Sequence, residues 1–320
     1  MRPSLKAWAA AALFVSSFVP SLAAAEAPMA KTQAPGYYRH MVGDYEVTAL
    51  LDGTAKLPVL QLLKGAPPEQ LAAALKRGFL KDTVETSVNA YLVNTGTKLV
   101  LIDAGTGGSF GYSSQFMDNL RAAGYRPEQV DEVYITHMHG DHVGGLLYEK
   151  AAAFPNATVR LDKRDADFWL SEQVMNRAPA NFQPFFKTAM AAVAPYSAAG
   201  KFKPFDGATE LVPGVFSVPT YGHTPGHTIY RIESKGQTLI LWGDLMHVAS
   251  VQFDNPGVVI QFDTDNNAAA AERGKAYAEA ASKGWLVGAS HISFPGLGNL
   301  RAADSGKGYT WVPLNYSNLK

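Results

Sequence analysis

The chain contains no cysteine. Disulfides are therefore excluded, and so is any zinc site built on thiolates. A metal held here must be held by imidazole and carboxylate. A surplus of either charge is also missing: Lys+Arg and Asp+Glu number 28 each, so the formal net charge is zero. With no Lys/Arg-rich run there is no basic field to attract nucleic acid, which counts against a nuclease. Long apolar runs are absent after the first 25 residues, so the mature chain offers no membrane span. Charged residues make up only 18% of the 320, against 47% hydrophobic ones, enough core for one large domain or two small ones.

Residues 1–25 read as a secretory signal. Arg2 and Lys6 give a positive start, Ala7 to Val19 is apolar but too short to span a bilayer, and Ala23-Ala24-Ala25 offers a small-residue cleavage site. An uncleaved N-terminal anchor is the alternative. The expectation is a periplasmic or secreted protein. Residues 26–44 are expected to be a loose linker or arm, and 45–320 a single domain.

What the sequence does contain is a concentration of imidazole. Thr136-His137-Met138-His139-Gly140-Asp141-His142 follows the apolar run Val133-Tyr134-Ile135. The run reads as a buried strand, which places the cluster on the loop at its C-terminal end, a common location for sites in α/β proteins. His137 and His139 stand two apart and point the same way in extended backbone, so both can reach one metal. Asp141 and His142 follow the turn and can face a second ion about 3.5–4 Å from the first. The bland reading is a polar loop with Asp141 capping the next helix.

Strand and helix signals recur along the chain. Strands are expected at 45–51, ended by Asp52-Gly53, at 88–93 and 99–102 as a hairpin, and at 131–136, 158–161, 215–218, 229–232, 238–242 and 285–289. Helices are expected at 67–76, 113–123, 162–170, 181–193 and 268–282. The order is strands then helices, stated twice, with His or Asp repeatedly at strand ends. That predicts two sheets packed face to face, helices outside, and a site at one rim. The Gly-rich turn Asp103-Ala104-Gly105-Thr106-Gly107-Gly108 lacks the Lys-Ser/Thr ending of a phosphate loop. Asp103 is better read as a carboxylate that orients the metal loop.

His137-x-His139-x-Asp141-His142, followed by His227, Asp244 and His291, resembles the metallo-β-lactamase superfamily. The closer resemblance, carried by stretches such as Gly222-His223-Thr224-Pro225-Gly226-His227-Thr228 and Phe294-Pro295-Gly296-Leu297-Gly298, is to its methyl parathion hydrolase group and the related lactonases and arylesterases. The resemblance implies an αββα sandwich of two mixed sheets and a centre of two divalent ions, zinc first, with manganese, cobalt or iron as alternatives. His137, His139 and His227 would hold one ion, and Asp141, His142 and His291 the other. Asp244 would bridge them, and His223 would support the loop from behind. A hydroxide shared by the ions would attack lactones, aryl esters and organophosphate triesters, with Asp141 relaying a proton. Phe110, Trp169 and Phe186 match the positions of that group's aromatic pocket. His247 stands where the parathion hydrolases are apolar and the lactonase-like relatives carry His. Relatives suggest a homodimer. β-Lactamases proper lack the bridging Asp, and the di-iron oxygen-reducing relatives carry Glu at the position of His139, so hydrolysis other than of lactams is favoured. Glyoxalase II-like thioesterases share the whole ligand set and remain an alternative, as does a non-catalytic metal-containing binding protein.

Overall fold

The computed structural model describes residues 27–319 apart from Tyr112, and only the backbone of Phe110. The proposed signal segment, 1–25, lies outside the described residues. From Pro35 onward the chain is one compact unit. Among the described residues, no helix is long and apolar enough to cross a membrane.

Two sheets form the centre. The first has six strands in the spatial order Tyr37–Val42, Tyr45–Leu57, Val84–Asn94, Leu99–Ile102, Glu132–Tyr134 and Thr158–Arg160. Its early strands pair antiparallel, and its last three are parallel. The second has seven, ordered Thr209–Val212, Val215–Pro219, Thr228–Ser234, Gln237–Leu241, Leu286–Gly288, Leu297–Ala302 and Tyr309–Pro313. It is antiparallel except where Gln237–Leu241 meets Leu286–Gly288.

Strand side chains alternate between faces, so each buried sheet supplies two cores. Val47, Ala49, Tyr91, Val93, Val100 and Tyr134 of the first sheet meet Tyr230, Ile232, Leu239 and Leu241 of the second between the layers. The opposite face of the first sheet, with Leu92, Leu101 and Val133, packs under Phe116, Leu120, Ala189 and Val193 of helices Phe116–Ala122 and Gln183–Ala198. The outer face of the second, with Ile229 and Ile240, packs under Ala276, Tyr277 and Ala280 of helix Asn266–Lys283. The layers are therefore helix, sheet, sheet, helix, as expected.

The structure departs from the sequence reading in places with physical causes. Tyr37–Val42 is an edge strand of the first sheet rather than part of an arm. It pairs with the next strand from Tyr37↔Leu50 to Val42↔Tyr45, and its Tyr38 and Val42 are buried. The second strand does not stop at Asp52-Gly53. Its register shifts between Leu51 and Gly53, so a bulge absorbs Asp52, whose carboxylate accepts from the Thr106 amide (2.7 Å) and the Ser114 hydroxyl. Helix Glu172–Arg177, capped by Ser171 (3.3 Å to the Val174 amide), and strands Leu297–Ala302 and Tyr309–Pro313 were not expected.

Candidate metal centre

Strand Glu132–Tyr134 delivers the imidazole cluster to the sheet rim, as its periodicity predicts. Asp103, in the left-handed region at φ 61°, ends the neighbouring strand and turns its carboxylate onto the cluster. Its Oδ1 accepts from the Thr136 amide at 2.8 Å, and its Oδ2 accepts from the Thr136 hydroxyl at 2.9 Å and from His142 Nδ1 at 2.8 Å. Because Thr136 donates to Asp103, its oxygen is free to accept from His137 Nδ1, 3.0 Å away. One carboxylate thus fixes two rings so that both Nε2 atoms face inward. Asp103 fills the orienting role expected of it.

The second sheet supplies the facing donors. Gly243, at φ 53°, ends strand Gln237–Leu241 and the following residue, where a Cβ would sit 2.8 Å from the Thr136 Cβ. Only glycine lets the two rims approach this closely. Asp244 then points between the imidazoles. Its Oδ1 lies 3.0 Å from both His142 Nε2 and His291 Nε2. Its Oδ2 lies 3.3 Å from His223 Nε2, 3.5 Å from His137 Nε2 and 3.1 Å from His247 Nε2. His291 is aimed by its Nδ1, which donates to the Ser87 carbonyl at 2.9 Å. Its loop is bracketed by Asn89, whose amide donates to the carbonyls of Ala289 (3.1 Å) and Ile292 (2.7 Å). Asp141 Oδ2 is 3.5 Å from His291 Nε2 and 3.6 Å from His142 Nε2.

Two donor groups result, each spanning less than 4.8 Å: His137, His139, His223 and Asp244, and Asp141, His142, Asp244 and His291. Asp244 belongs to both. His223 Nε2 and His139 Nδ1 are 3.1 Å apart. Two nitrogens on one zinc, each about 2.0–2.1 Å from it, sit about 3.3 Å apart, so this spacing suits a shared ion. Among the described residues, His137 Nε2, His142 Nε2 and Asp244 Oδ1 are buried without a hydrogen-bond partner. Buried polar atoms are otherwise nearly always satisfied. Three orphans spread over the two donor groups, all imidazole or carboxylate, fit divalent cations.

One expectation is corrected here. His227, assigned as a ligand, is turned away from the donor group, and His223, assigned a supporting role, stands inside it. The cause is visible in the hydrogen bonds. His227 Nε2 accepts from the Asp244 amide at 3.1 Å, so its proton is on Nδ1, which faces the Thr220 hydroxyl at 2.8 Å. Both nitrogens are occupied by protein. Burial and the neighbouring His223 press the His227 pKa down to about 3, keeping the ring neutral. His223 instead turns Nδ1 to Asp263 Oδ1 (2.8 Å) and presents Nε2 to the centre. Burial opposes its charge, but hydrogen bonds to Asp244 and Asp263 prevail and lift its pKa to about 9.

Asp165 was not anticipated. It is buried on helix Lys163–Trp169 and accepts from the amides of Met138 and Gly226, both at 2.8 Å, tying the two histidine loops together.

A cavity of about 280 Å³ opens onto the centre, lined by Asp141, Asp244 and His291 on one side and by Leu57, Val88, Trp169, Phe182, Phe185 and Phe262 on the other. His247 and Trp169 line it as expected. Phe186 does not: it is buried behind Trp169, ring centroids 4.7 Å apart, and Phe182 and Phe185 form the wall instead. The i, i+3 spacing of 182 and 185 at the start of a helix was the available signal. The side chain of Phe110 lies outside the described residues.

Fold and donor set together define an αββα protein with a His/Asp metal centre. The chain belongs to the metallo-beta-lactamase superfamily, whose family model matches residues 83–283. Among solved structures, it is similar to the hydrolase AbOPH of the beta-lactamase superfamily, at 38% identity and a TM-score of 0.85 over 90% of this chain and 100% of that one. It is also similar to AidC, a dizinc quorum-quenching lactonase in complex with the product N-hexanoyl-L-homoserine. That likeness has 26% identity and a TM-score of 0.81, over 88% and 99% of the two chains. Curated relatives match over shorter stretches. The uncharacterized protein YobT of Bacillus subtilis is 31% identical over 48% of this chain and 60% of its own length. An N-acyl homoserine lactonase of Bacillus cereus is 28% identical over 38% and 40%.

Proposed function

We propose that this chain is an exported hydrolase that holds two divalent ions, zinc first, and cleaves neutral, apolar lactones and aryl esters. The observation that carries the reading is the cavity. Beyond the centre its lining is almost wholly hydrocarbon and aromatic, and among the described residues no Lys or Arg lines it. A thioester of glutathione or a lactam bearing a carboxylate would bring a charge with no cationic partner into this wall, at a desolvation cost. A lactone with an alkyl tail, or a phenyl ester, brings none. Similarity to a dizinc lactonase and to N-acyl homoserine lactonases supports the same substrate class.

His137, His139, His223 and Asp244 would hold one ion, and Asp141, His142, Asp244 and His291 the other. Ions bound there would lower the pKa of water toward neutrality and polarise the carbonyl under attack. The protein's own contribution is arrangement. Asp103, Asp263 and the Ser87 carbonyl each accept from the Nδ1 of one ring and turn its Nε2 toward the centre, where an ion would displace any proton it carries. Asp141 is the one donor carboxylate partly open to the cavity, with its side chain 31% exposed. Burial works against its ionisation, but the His142 and His291 rings outweigh it and hold the carboxyl below its usual range. The carboxylate is therefore ionised and can accept a proton released from the attacking water, with a basicity lowered by the same rings. A phenolate leaves without protonation, the alkoxide of an aliphatic lactone must take up a proton, which Asp141 could return, and phosphotriesters with good leaving groups fall within reach because they too need none.

The test is a parallel substrate panel on metal-loaded protein: dihydrocoumarin, p-nitrophenyl acetate, methyl paraoxon, nitrocefin and S-lactoylglutathione. Dihydrocoumarin and the phenyl ester should lead in kcat/KM. Preference for nitrocefin or S-lactoylglutathione would overturn the reading.

A further inference from the structure

Helix Asn266–Lys283 carries a fully buried guanidinium, Arg273, outside the donor set. A buried Arg must be paired, because it does not lose its charge. Arg273 Nε donates to the Leu245 carbonyl at 2.6 Å, next to the shared Asp244. One terminal nitrogen donates to the carbonyls of Pro256 (2.9 Å) and Val258 (2.7 Å). The other lies 3.7 Å from Asp263 Oδ2, which also accepts from the Ile260 amide at 3.0 Å. Asp263 Oδ1 receives His223 Nδ1.

The same segment holds His223 by its backbone. The Thr264 amide (2.9 Å) and hydroxyl (3.0 Å) both donate to the His223 carbonyl, and the Asp265 amide donates to that of Gly222 at 2.8 Å. Asp265 in turn caps the helix, accepting from the Asn267 and Ala268 amides at 3.0 Å. Gly222, at φ 145°, lies so close that a Cβ would come within 2.3 Å of the Ala269 amide nitrogen. One helix therefore grips His223 at its first turn and reaches back, two turns later, to the carboxylate that orients the ring.

We propose that Asp263 and Arg273 are positioning residues that hold His223 Nε2 toward the centre and thereby set the affinity of one of its two ions. Asp263 fixes the tautomer and ring angle, and Arg273 fixes Asp263 and the Asp244 loop relative to one another. The inference rests on the metal reading of the donor set and adds a residue pair to it. Neither residue touches the substrate cavity.

The experiment is zinc titration of metal-stripped full-length protein against a chromophoric chelator, with urea unfolding of the same stripped protein. Variants are Asp263→Ala, Asp263→Asn, Arg273→Met, the Ala/Met double variant and His223→Ala. Removing such an outer partner typically weakens metal affinity about 10–100-fold. Asp263→Ala and Arg273→Met should each weaken one zinc by about that factor and leave the other, on Asp141, His142 and His291, within about threefold. Asp263→Asn, which keeps an acceptor for Nδ1, should recover most of the loss. The double variant should lose less than the product of the singles, because both act through one ring. Unchanged affinity for both ions in Asp263→Ala, loss of both ions in step with unfolding, or independent effects in the double variant would overturn the proposal. His223→Ala separates the two levels. If it retains both ions, the metal reading itself fails; if it loses one while Asp263→Ala loses none, only the positioning claim fails.

Discussion

Exchange of roles between His223 and His227 can be tested directly, because the two rings fail in different ways. His227→Ala removes an acceptor from the Asp244 amide and a donor to the Thr220 hydroxyl. Both groups are buried and cannot turn to water. An unsatisfied buried polar group costs about 1–3 kcal/mol, so the variant should lose about 2–6 kcal/mol of stability. The donor atoms stay in place, so at a temperature where it is folded it should still bind two ions. His223→Ala removes a metal donor and also takes a hydrogen bond from the buried Asp263 carboxylate, so it too costs stability. It should bind one ion fewer and lose nearly all turnover even at a temperature where it is fully folded. Metal content is read by mass spectrometry after desalting, folding by circular dichroism, and stability by urea titration. A folded His227→Ala protein short of one ion, beside a His223→Ala protein with its full complement, would refute the assignment.

Two further outcomes follow from packing. Gly243→Ala combines a left-handed backbone with a Cβ 2.8 Å from Thr136; Ala at positive φ alone costs about 1–2 kcal/mol, so a urea midpoint shift of at least that size should accompany weaker zinc binding, and a neutral result would mean the rims are not held together there. Phe182→Ala, at the cavity mouth and 40% exposed, should leave stability within about 0.5 kcal/mol yet lower kcat/KM for long-tailed lactones several-fold, whereas Phe186→Ala, 2% exposed, should cost about 3–5 kcal/mol in unfolding; equal effects of the two on unfolding would contradict the division between wall and core.

The sandwich was legible because its strands are short, apolar and punctuated by turns, and because His and Asp recur at their ends. Asp103 was legible because a carboxylate after a strand, beside a histidine loop, has few other uses. Spacing could not separate His223 from His227, since both sit on the same seven-residue loop. What decides between them is a backbone amide from Asp244 and a carboxylate from Asp263, remote in sequence and brought together only by the second sheet. Asp165 was hidden for the same reason: its partners Met138 and Gly226 lie on different loops. The choice of Phe182 and Phe185 over Phe186 depends on the rotation of one helix about its axis. Tyr37–Val42 was missed because six residues of which only Tyr38 and Val42 are buried carry too weak an alternation to outweigh the Pro/Ala-rich stretch before them.

The donor groups are split between the two sheets: His137, His139 and His142 come from the first, and His223, Asp244 and His291 from the second. During synthesis the first set leaves the ribosome with no counter-charge from Asp244, and His291 emerges last. The group of His137, His139, His223 and Asp244 is complete once residue 244 is out, and the group with His291 only near the end of the chain. On the two-ion reading, ion capture would be tied to the final docking of the two halves, and the metal would be drawn from the supply of the compartment in which docking finishes.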